Sequence, residues 1–421
     1  MGKKIKMNMT TQIIIATVLG IFFGLVLGER MTAVDVVGNI FLRLIQMAIV
    51  ILVMGQVIEA VGNLNPKQLG KLGLKTISVF MLSSFLAAAF GVFMGFLFQP
   101  GSGIDSTKIT GGNLPEAPHS SLKETILNFF PQNIFSSMAE ASIVQVITFA
   151  VLFGLAVSFV RIENPKNQIL QVTEQFNQVI LRMIGLIMKT APIGIFFILS
   201  STIGKTGAQV LLPLLKYLGV YALATFLFLL AWFIIVSLYC RVSIIQLTRN
   251  LTEMSVMALT TTSSAITLPV ALRDSQEKLG IHERVAKLVL PLGMSLNSNG
   301  SAMHMAMTII TIAQIFGYSY SIGDYVNIAI LATLASLANA VVPGAGLVSL
   351  SIVIPQMGLP LESIALFAGV EWFVGMLRTI LNVDSDTLSA LIVAKSEDAI
   401  DYDIFNGRKS QMRKSVLKNI G

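Results

Sequence analysis

Apolar runs of similar length, separated by short polar connections, set the pattern of this chain. Runs at about 11–28, 37–60 and 74–98 each come near the ~20 apolar residues that a helix needs to cross a bilayer. The third stops at Gln99-Pro100-Gly101, and residues 101–137, rich in Gly, Pro, Ser and Asn, predict a long loop. Further runs at about 138–160, 180–203 and 212–239 predict three more spanning helices. Basic residues set the orientation, because Lys and Arg accumulate on the cytoplasmic side. Lys3, Lys4 and Lys6 place the N-terminus inside, and Lys67, Lys71, Lys75, Arg161, Lys166, Arg182 and Arg241 fall where inside connections should be. Alternation puts the 101–137 loop outside. No short charged-then-apolar leader with a small-residue cleavage site precedes the first run, so 11–28 is read as a spanning helix.

Two later segments break the pattern. Residues 243–275 are only moderately apolar and contain Thr260-Thr261-Thr262-Ser263-Ser264-Ala265-Ile266-Thr267-Leu268-Pro269, with Arg249 and Arg273 both suggesting the cytoplasmic face. Residues 325–358 are apolar but interrupted by Ala338-Asn339-Ala340-Val341-Val342-Pro343-Gly344-Ala345-Gly346. Both predict re-entrant hairpins rather than kinked spans. Irregular backbone at membrane depth survives only where protein buries it or water reaches it, so each broken tip predicts a cavity. A helix interrupted by polar residues is expected after each hairpin: at Asn297-Ser298-Asn299-Gly300-Ser301 after the first, and at Glu371–Asp386 after the second. Paired broken segments in corresponding positions point to an inverted-repeat transporter with its site near the midplane.

Composition agrees. Of 421 residues, 54% are hydrophobic and only 12% charged, against roughly 25% charged in soluble domains. This is an all-α polytopic membrane protein. The net charge of +7 sits in clusters between apolar runs, as topology signals do, and nucleic acid is not an expected partner. The single cysteine, Cys240, excludes an intrachain disulfide framework and is read as a small buried residue. The polar tail from Lys395, with Arg408, Lys409, Arg413, Lys414 and Lys418, predicts a cytoplasmic segment touching anionic lipid. The domain boundaries expected are therefore 1–242, 243–394 and 395–421.

The chemistry concentrates in Glu371–Asp386, which holds three carboxylates, an arginine and an asparagine within an apolar segment. An ionised group at bilayer depth costs roughly 2.5–3.5 kcal/mol, so such residues mark a substrate or ion path. Glu371, Gly375, Arg378, Asn382 and, nearly, Asp386 recur at helical spacing and share one stripe. A structural ion pair of Arg378 with Glu371 or Asp386 is the competing reading, but it leaves Asp384 and Asn382 unexplained. Arg378 offers a planar fork matched to a carboxylate, which predicts a small acidic solute. The Ser- and Thr-rich tips supply N–H and hydroxyl donors for a second carboxylate, aided by a half-helix dipole. Asp386, with backbone carbonyls near Asn297, offers hard oxygen ligands to a small cation. No nucleophile–base–acid arrangement, metal-ligand spacing or phosphate-binding glycine loop occurs, so no enzyme and no cofactor is expected. His119 and His282 fall in loops. His304, among Met303, Met305 and Met307, is read as a hydrogen-bonded core residue with a proton-coupling role as the alternative.

At these residues the chain resembles the dicarboxylate/amino acid:cation symporter family, which includes archaeal aspartate transporters and mammalian excitatory amino-acid transporters. The resemblance covers nearly the whole chain: Phe41-Leu42-Arg43-Leu44-Ile45-Gln46-Met47, Ala191-Pro192-Ile193-Gly194, Thr267-Leu268-Pro269, Leu290-Pro291-Leu292-Gly293, Asn297 with Gly300, Pro343-Gly344-Ala345-Gly346, and Arg378-Thr379 with Asn382 and Asp386. It implies eight helices plus two hairpins, a homotrimer in the cell membrane with both termini cytoplasmic, and an elevator motion. In that motion helices 3, 6, 7 and 8 and the hairpins move past a scaffold of helices 1, 2, 4 and 5. It also implies import of glutamate, aspartate or C4-dicarboxylates with Na+, or alternatively H+, as the co-transported ion. A channel or receptor-like membrane protein is the alternative from a different class.

Site roles carry over by position. Substrate would meet Arg378, Thr379, Asn382, Ser263, Ser264, Ser301, Gly375 and Val342. One sodium site would use Gly293, Asn297, Asn382 and Asp386, and a second Ser295, Ser336 and Asn339. A third keeps Ser83 and Ser84, but Asn299 stands where an aspartate is usual and Phe80 where a tyrosine is; a hard cation in a low-dielectric site favours an anionic partner, so this site is weakened. The aspartate that amino-acid carriers use for the substrate ammonium would sit at Gly375. Its absence favours a dicarboxylate unless Glu371 or Asp384 takes over, because an unpaired buried ammonium is costly. Val341 replaces a usual glycine at the second tip. Met305 stands where mammalian members carry a proton-accepting glutamate, leaving His304, Glu371 and Asp384 as proton candidates.

Overall fold

The computed structural model describes residues 9–63, 66–103, 127, 130–164, 167–207, 211–337, 345–360 and 363–408. Among these residues the chain is helical, with one antiparallel bridge between Ile281 and Ile400.

The first helices lie close to the expected runs: α1 (Met9–Leu27), a 3-10 turn (Gly28–Val34), α2 (Asp35–Gly62) and α3 (Pro66–Phe98). Two expected single helices are broken. The fourth run is α4 (Ile134–Ala139) followed by α5 (Ile143–Glu163), with Ala141 between them at φ 53°. The fifth is α6 (Ile169–Met188) and α7 (Ala191–Thr206), bent by 55°. Pro192 explains the second break, since it has no N–H for the carbonyl of Met188 and its ring collides with that carbonyl in a continuous helix. Then comes α8 (Leu211–Cys240).

The first expected hairpin is α9 (Ile244–Thr261) and α10 (Ser264–Glu277), with Thr262 left-handed at φ 51° and ψ 29°. The legs run antiparallel: Thr261 meets Thr267, Glu253 meets Arg273, and Asn250 donates to the carbonyl of Lys278. Next are α11 (Glu283–Leu296), α12 (Asn299–Phe316), α13 (Ile322–Ser336), α14 (Ala345–Gln356), α15 (Ile364–Phe367), α16 (Glu371–Ser396) and α17 (Tyr402–Phe405). Between α13 and α14, residues 338–344 lie outside the described residues, and with them the expected site residues Asn339 and Val342. The break expected at Asn297 is present between α11 and α12. The helix expected to be interrupted after the second hairpin is instead continuous over the 26 residues of α16. Asn382, Asp384 and Asp386 find partners on neighbouring elements, and Thr379 bonds a carbonyl of its own helix, all without a turn opening.

Burial divides the helices by what surrounds them. The four segments Thr11–Phe41, Leu72–Phe98, Val144–Glu163 and Leu211–Cys240 are long and apolar enough to cross a membrane, and the bent α6–α7 pair would add a fifth span. They leave Phe22, Val26, Phe96, Leu152, Phe226 and Leu238 exposed, an apolar surface suited to lipid. By contrast α12 and α16 are buried nearly all round, as a helix in the middle of a bundle must be. In the packing, α1 lies on α7 and α2 on α5, α6 and α7, whereas α3, α8, α9, α11 and α12 surround α16.

The start of α12 presses directly on α16. A Cβ on Gly300 would overlap the backbone carbonyl of Arg378, and backbone cannot swing aside. Gly300→Ala should therefore lower stability by about 1–3 kcal/mol, the usual range for overpacking, read as a fall in the melting temperature of the detergent-purified protein. An unchanged melting temperature would show that the two helices separate freely.

The polar C-terminal segment does not leave the body at Lys395. Lys75 bonds the carbonyl of Ser396 and pairs with Glu397, the amide of His282 donates to the carbonyl of Ala399, that of Asp401 donates to Gly280, and Asn250 donates to the carbonyl of Phe405.

Candidate functional site

The site is built where α16 meets the break between α11 and α12. At Asn297 (φ −122°, ψ 87°) and Ser298 (φ −114°, ψ 64°) the backbone leaves the helix, so its polar groups turn inward at a buried position. The Asn297 amide donates to Asp386 Oδ1 at 2.8 Å, and its Oδ1 accepts from Ser83 at 3.0 Å and Ser84 at 3.2 Å. Asn299 Oδ1 lies 3.2 and 2.8 Å from the same two hydroxyls, whose single hydrogens are shared between the two amide oxygens, while its amide nitrogen is buried without a partner. Gly300 N–H donates to Asn382 Oδ1 at 2.7 Å, and Asn382 Nδ2 faces Ser301 Oγ at 3.5 Å. Of the expected residues, Ser83, Ser84, Asn297, Asn299 and Asp386 thus form one buried network, and Ser301 and Asn382 a second beside it at Gly300.

Gly293 lies against Asp386, since a Cβ there would overlap the carboxylate carbon or nearly so, at 2.7 Å. A cavity of about 10 Å³ opens beside Asp386, with Ser264, Met294 and Thr387 on its walls. That is room for about one water-sized sphere. The first hairpin therefore brings Ser264 to the same cavity as Asp386. Ser263 caps α10, accepting from the amide of Ile266 at 3.4 Å. Ser295 and Ser336 spend their hydroxyls locally, on the carbonyls of Pro291 and Thr333, and Thr379 donates to the carbonyl of Gly375 at 2.8 Å.

Two turns towards its N-terminus, α16 carries the ion pair that competed with the substrate reading. Arg378 Nη1 donates to Glu371 Oε1 at 3.0 Å, with the two side chains only 4% and 6% exposed. Asp386 takes no part. The backbone N–H of Gly346, opening α14, donates to the same Glu371 oxygen at 3.0 Å. A Cβ on Gly346 would overlap both the guanidinium and the carboxylate, which is why glycine stands here. His304 Nε2 lies 4.0 Å from Glu371 Oε2, and its Nδ1 is 2.6 Å from the hydroxyl of Tyr217. Asp384 points elsewhere, with both oxygens accepting from Ser255 on α9 at 2.8 and 3.0 Å. Nine residues separate it from Gly375, about 13 Å along a helix, so of the two acids expected to replace a counter-charge at Gly375, only Glu371 is beside Arg378.

Residue reading alone passed over Tyr217, Tyr221, Ser255 and Glu253. Tyr217 and Tyr221 were signalled by two polar handles one turn apart in an apolar helix; both are buried, stacked 6.1 Å apart, and Tyr221 donates to the carbonyl of Gly300 at 2.9 Å. Among the described residues no cluster of three or more His, Cys, Asp or Glu side chains could hold a metal ion.

Residues 9–396 match the sodium:dicarboxylate symporter family. The chain belongs to that family. It is 30% identical to the proton/sodium-glutamate symport protein of Bacillus subtilis over 427 residues, covering 99% of this chain and 98% of the relative. It is 31% identical to the proton/glutamate-aspartate symporter of Escherichia coli over 417 residues, 95% of each chain. It is also 29% identical to a C4-dicarboxylate transport protein of Bacillus subtilis over 408 residues, 94% of this chain and 96% of the relative. The sodium:dicarboxylate symporter family consists of membrane transporters, so this chain is a transporter and not an enzyme, in line with the absence of catalytic patterns in its sequence.

Proposed function

We propose that this symporter imports small acidic solutes, glutamate and aspartate or C4-dicarboxylates, coupled to Na+ or H+. The observation that carries the reading is Arg378: a guanidinium buried in α16, beside a broken helix and between two helical pairs. Its fork suits a carboxylate, and a buried charge of this kind needs an anion to be retained. Glu371 supplies that anion in the present arrangement, and a substrate carboxylate takes its place when the carrier loads. Ser263, Ser264, Ser301, Thr379, Gly375 and Asn382 complete the solute site. Asp386, with carbonyls of Gly293, Asn297 and Asn382, takes a sodium ion that travels as cargo, and the small cavity beside Asp386 supports this. A second ion uses Ser295 and Ser336. The Ser83–Ser84–Asn299 cluster has oxygens but no carboxylate of its own, so it contributes less to cation binding.

Movement follows an elevator scheme in which the body around α12 and α16 carries the load past α1, α2, α5, α6 and α7. The scaffold presents a mainly apolar cavity of about 660 Å³ with Ile51, Met54, Phe149, Phe153 and Phe176 on its walls, a surface that another copy of the chain can cover. The carrier works as a homotrimer in the cell membrane with both termini cytoplasmic.

Uptake of labelled aspartate, glutamate and succinate into proteoliposomes under imposed Na+ or H+ gradients tests the reading. Saturable, gradient-driven accumulation of at least one of them is expected. Conductance without saturable uptake would make the protein a channel instead.

A further inference from the structure

Glu371 Oε2 and His304 Nε2 face each other at 4.0 Å, and both atoms are buried without a hydrogen-bond partner. Tyr217 accounts for the other ring nitrogen: its hydroxyl lies 2.6 Å from Nδ1 and 2.9 Å from Thr308 Oγ1. With Nδ1–H donating to Tyr217 and Tyr217 to Thr308, Nε2 is an acceptor; with Tyr217 donating to Nδ1, Nε2 carries the hydrogen and faces Glu371. In either tautomer the 4.0 Å separation is too long for a hydrogen bond, so among the described residues Glu371 Oε2 stays a buried acceptor without a donor. Buried acceptors are nearly always paired, so this gap calls for a donor. A donor nitrogen within about 3 Å of Oε2 satisfies it, and so does a proton on Glu371.

The surroundings limit what that donor is. The charged and titratable groups facing Glu371 are Arg378 on its own helix, His304 on α12, and Tyr217 and Tyr221 on α8; α14 contributes the Gly346 N–H. With histidine and tyrosines neutral, the empty site sums to zero, Arg378 against Glu371. A zwitterionic acidic amino acid adds one net negative charge. A dicarboxylate adds two, unless a proton enters with it. Uncompensated charge in a buried site is costly, so equal burial demands one extra proton for the dicarboxylate.

We propose that Glu371, opposed by His304, is a cation socket that takes either the ammonium of an amino-acid substrate or, when the substrate lacks one, a proton from the aqueous side. The proposal deepens the acidic-solute reading above and rests on it. The substrate carboxylate takes Arg378, Glu371 is released, and its free oxygen meets the incoming N–H or H+. One carrier thus accepts both substrate classes, with one more proton per turnover for the dicarboxylate.

The test uses wild-type protein in proteoliposomes driven by a Na+ gradient, with equal pH on both sides. Labelled aspartate is compared with labelled fumarate between about pH 6 and pH 8, where their carboxyls stay ionised. One proton taken up with the substrate makes the apparent KM for fumarate rise about tenfold per pH unit, while that for aspartate changes by less than about twofold. Parallel pH dependence of the two substrates overturns the proposal, as does failure to carry fumarate at any pH. If neither acid is carried, nor glutamate or succinate, the acidic-solute reading itself falls. Glu371→Gln should flatten the fumarate profile and raise the aspartate KM more than tenfold; a variant that folds yet keeps both wild-type profiles also overturns the proposal. Should that variant fail to fold, the wild-type profiles alone decide.

Discussion

Arg378→Ala is expected to abolish uptake of every acidic solute the protein carries. Among the described residues the guanidinium is the only side chain with a fixed positive charge in contact with the buried Glu371. Loss of the fork removes a bidentate partner for the substrate carboxylate. It also strands Glu371, and removing one member of a buried pair typically costs about 3–5 kcal/mol. A lower melting temperature should therefore accompany the loss. Arg378→Ala/Glu371→Gln separates the two effects: it should recover stability because no buried charge is left unpaired, and it should still carry nothing. Acid uptake by that double variant near the wild-type rate would remove Arg378 from the solute site.

Asp386→Asn should raise the apparent KM for Na+ at least tenfold while leaving the fold intact. The substitution preserves an oxygen for the Asn297 amide, which now lies 2.8 Å from Oδ1, and it preserves volume beside Gly293 and Ser264. What it removes is the formal charge, and a hard cation in a low-dielectric site depends on that charge. Uptake measured against external Na+ reads the effect directly. Sodium dependence identical to wild type would exclude Asp386 as a ligand. The same substitution should leave the pH profile of fumarate uptake unchanged, since Asp386 lies fifteen residues from Glu371 on α16, some 22 Å along the axis.

The glycine that opens α14 offers a narrower probe of the same site. Gly346→Ala should cut uptake at least tenfold, because its Cβ would force Arg378 and Glu371 apart. Uptake within twofold of wild type would show that the pair tolerates displacement.

Much of this protein was legible in its sequence because a membrane imposes simple rules. Apolar runs near bilayer length locate helices, and polar residues inside such runs single out a candidate site, since lipid offers them no partner. The Glu371–Asp386 stripe, the break at Asn297 and a hairpin tip within Thr260–Pro269 follow from local pattern alone; that the turn falls at Thr262 does not. Tertiary structure decided the rest. That Arg378 pairs with Glu371 and not Asp386, that Asp384 turns to Ser255, and that Tyr217 and Gly346 reach this site from other helices depend on which faces meet across the bundle. Spacing along one helix fixes which side chains share a stripe, but which of them is charged, paired or left waiting for a hydrogen is set by neighbours distant in the chain.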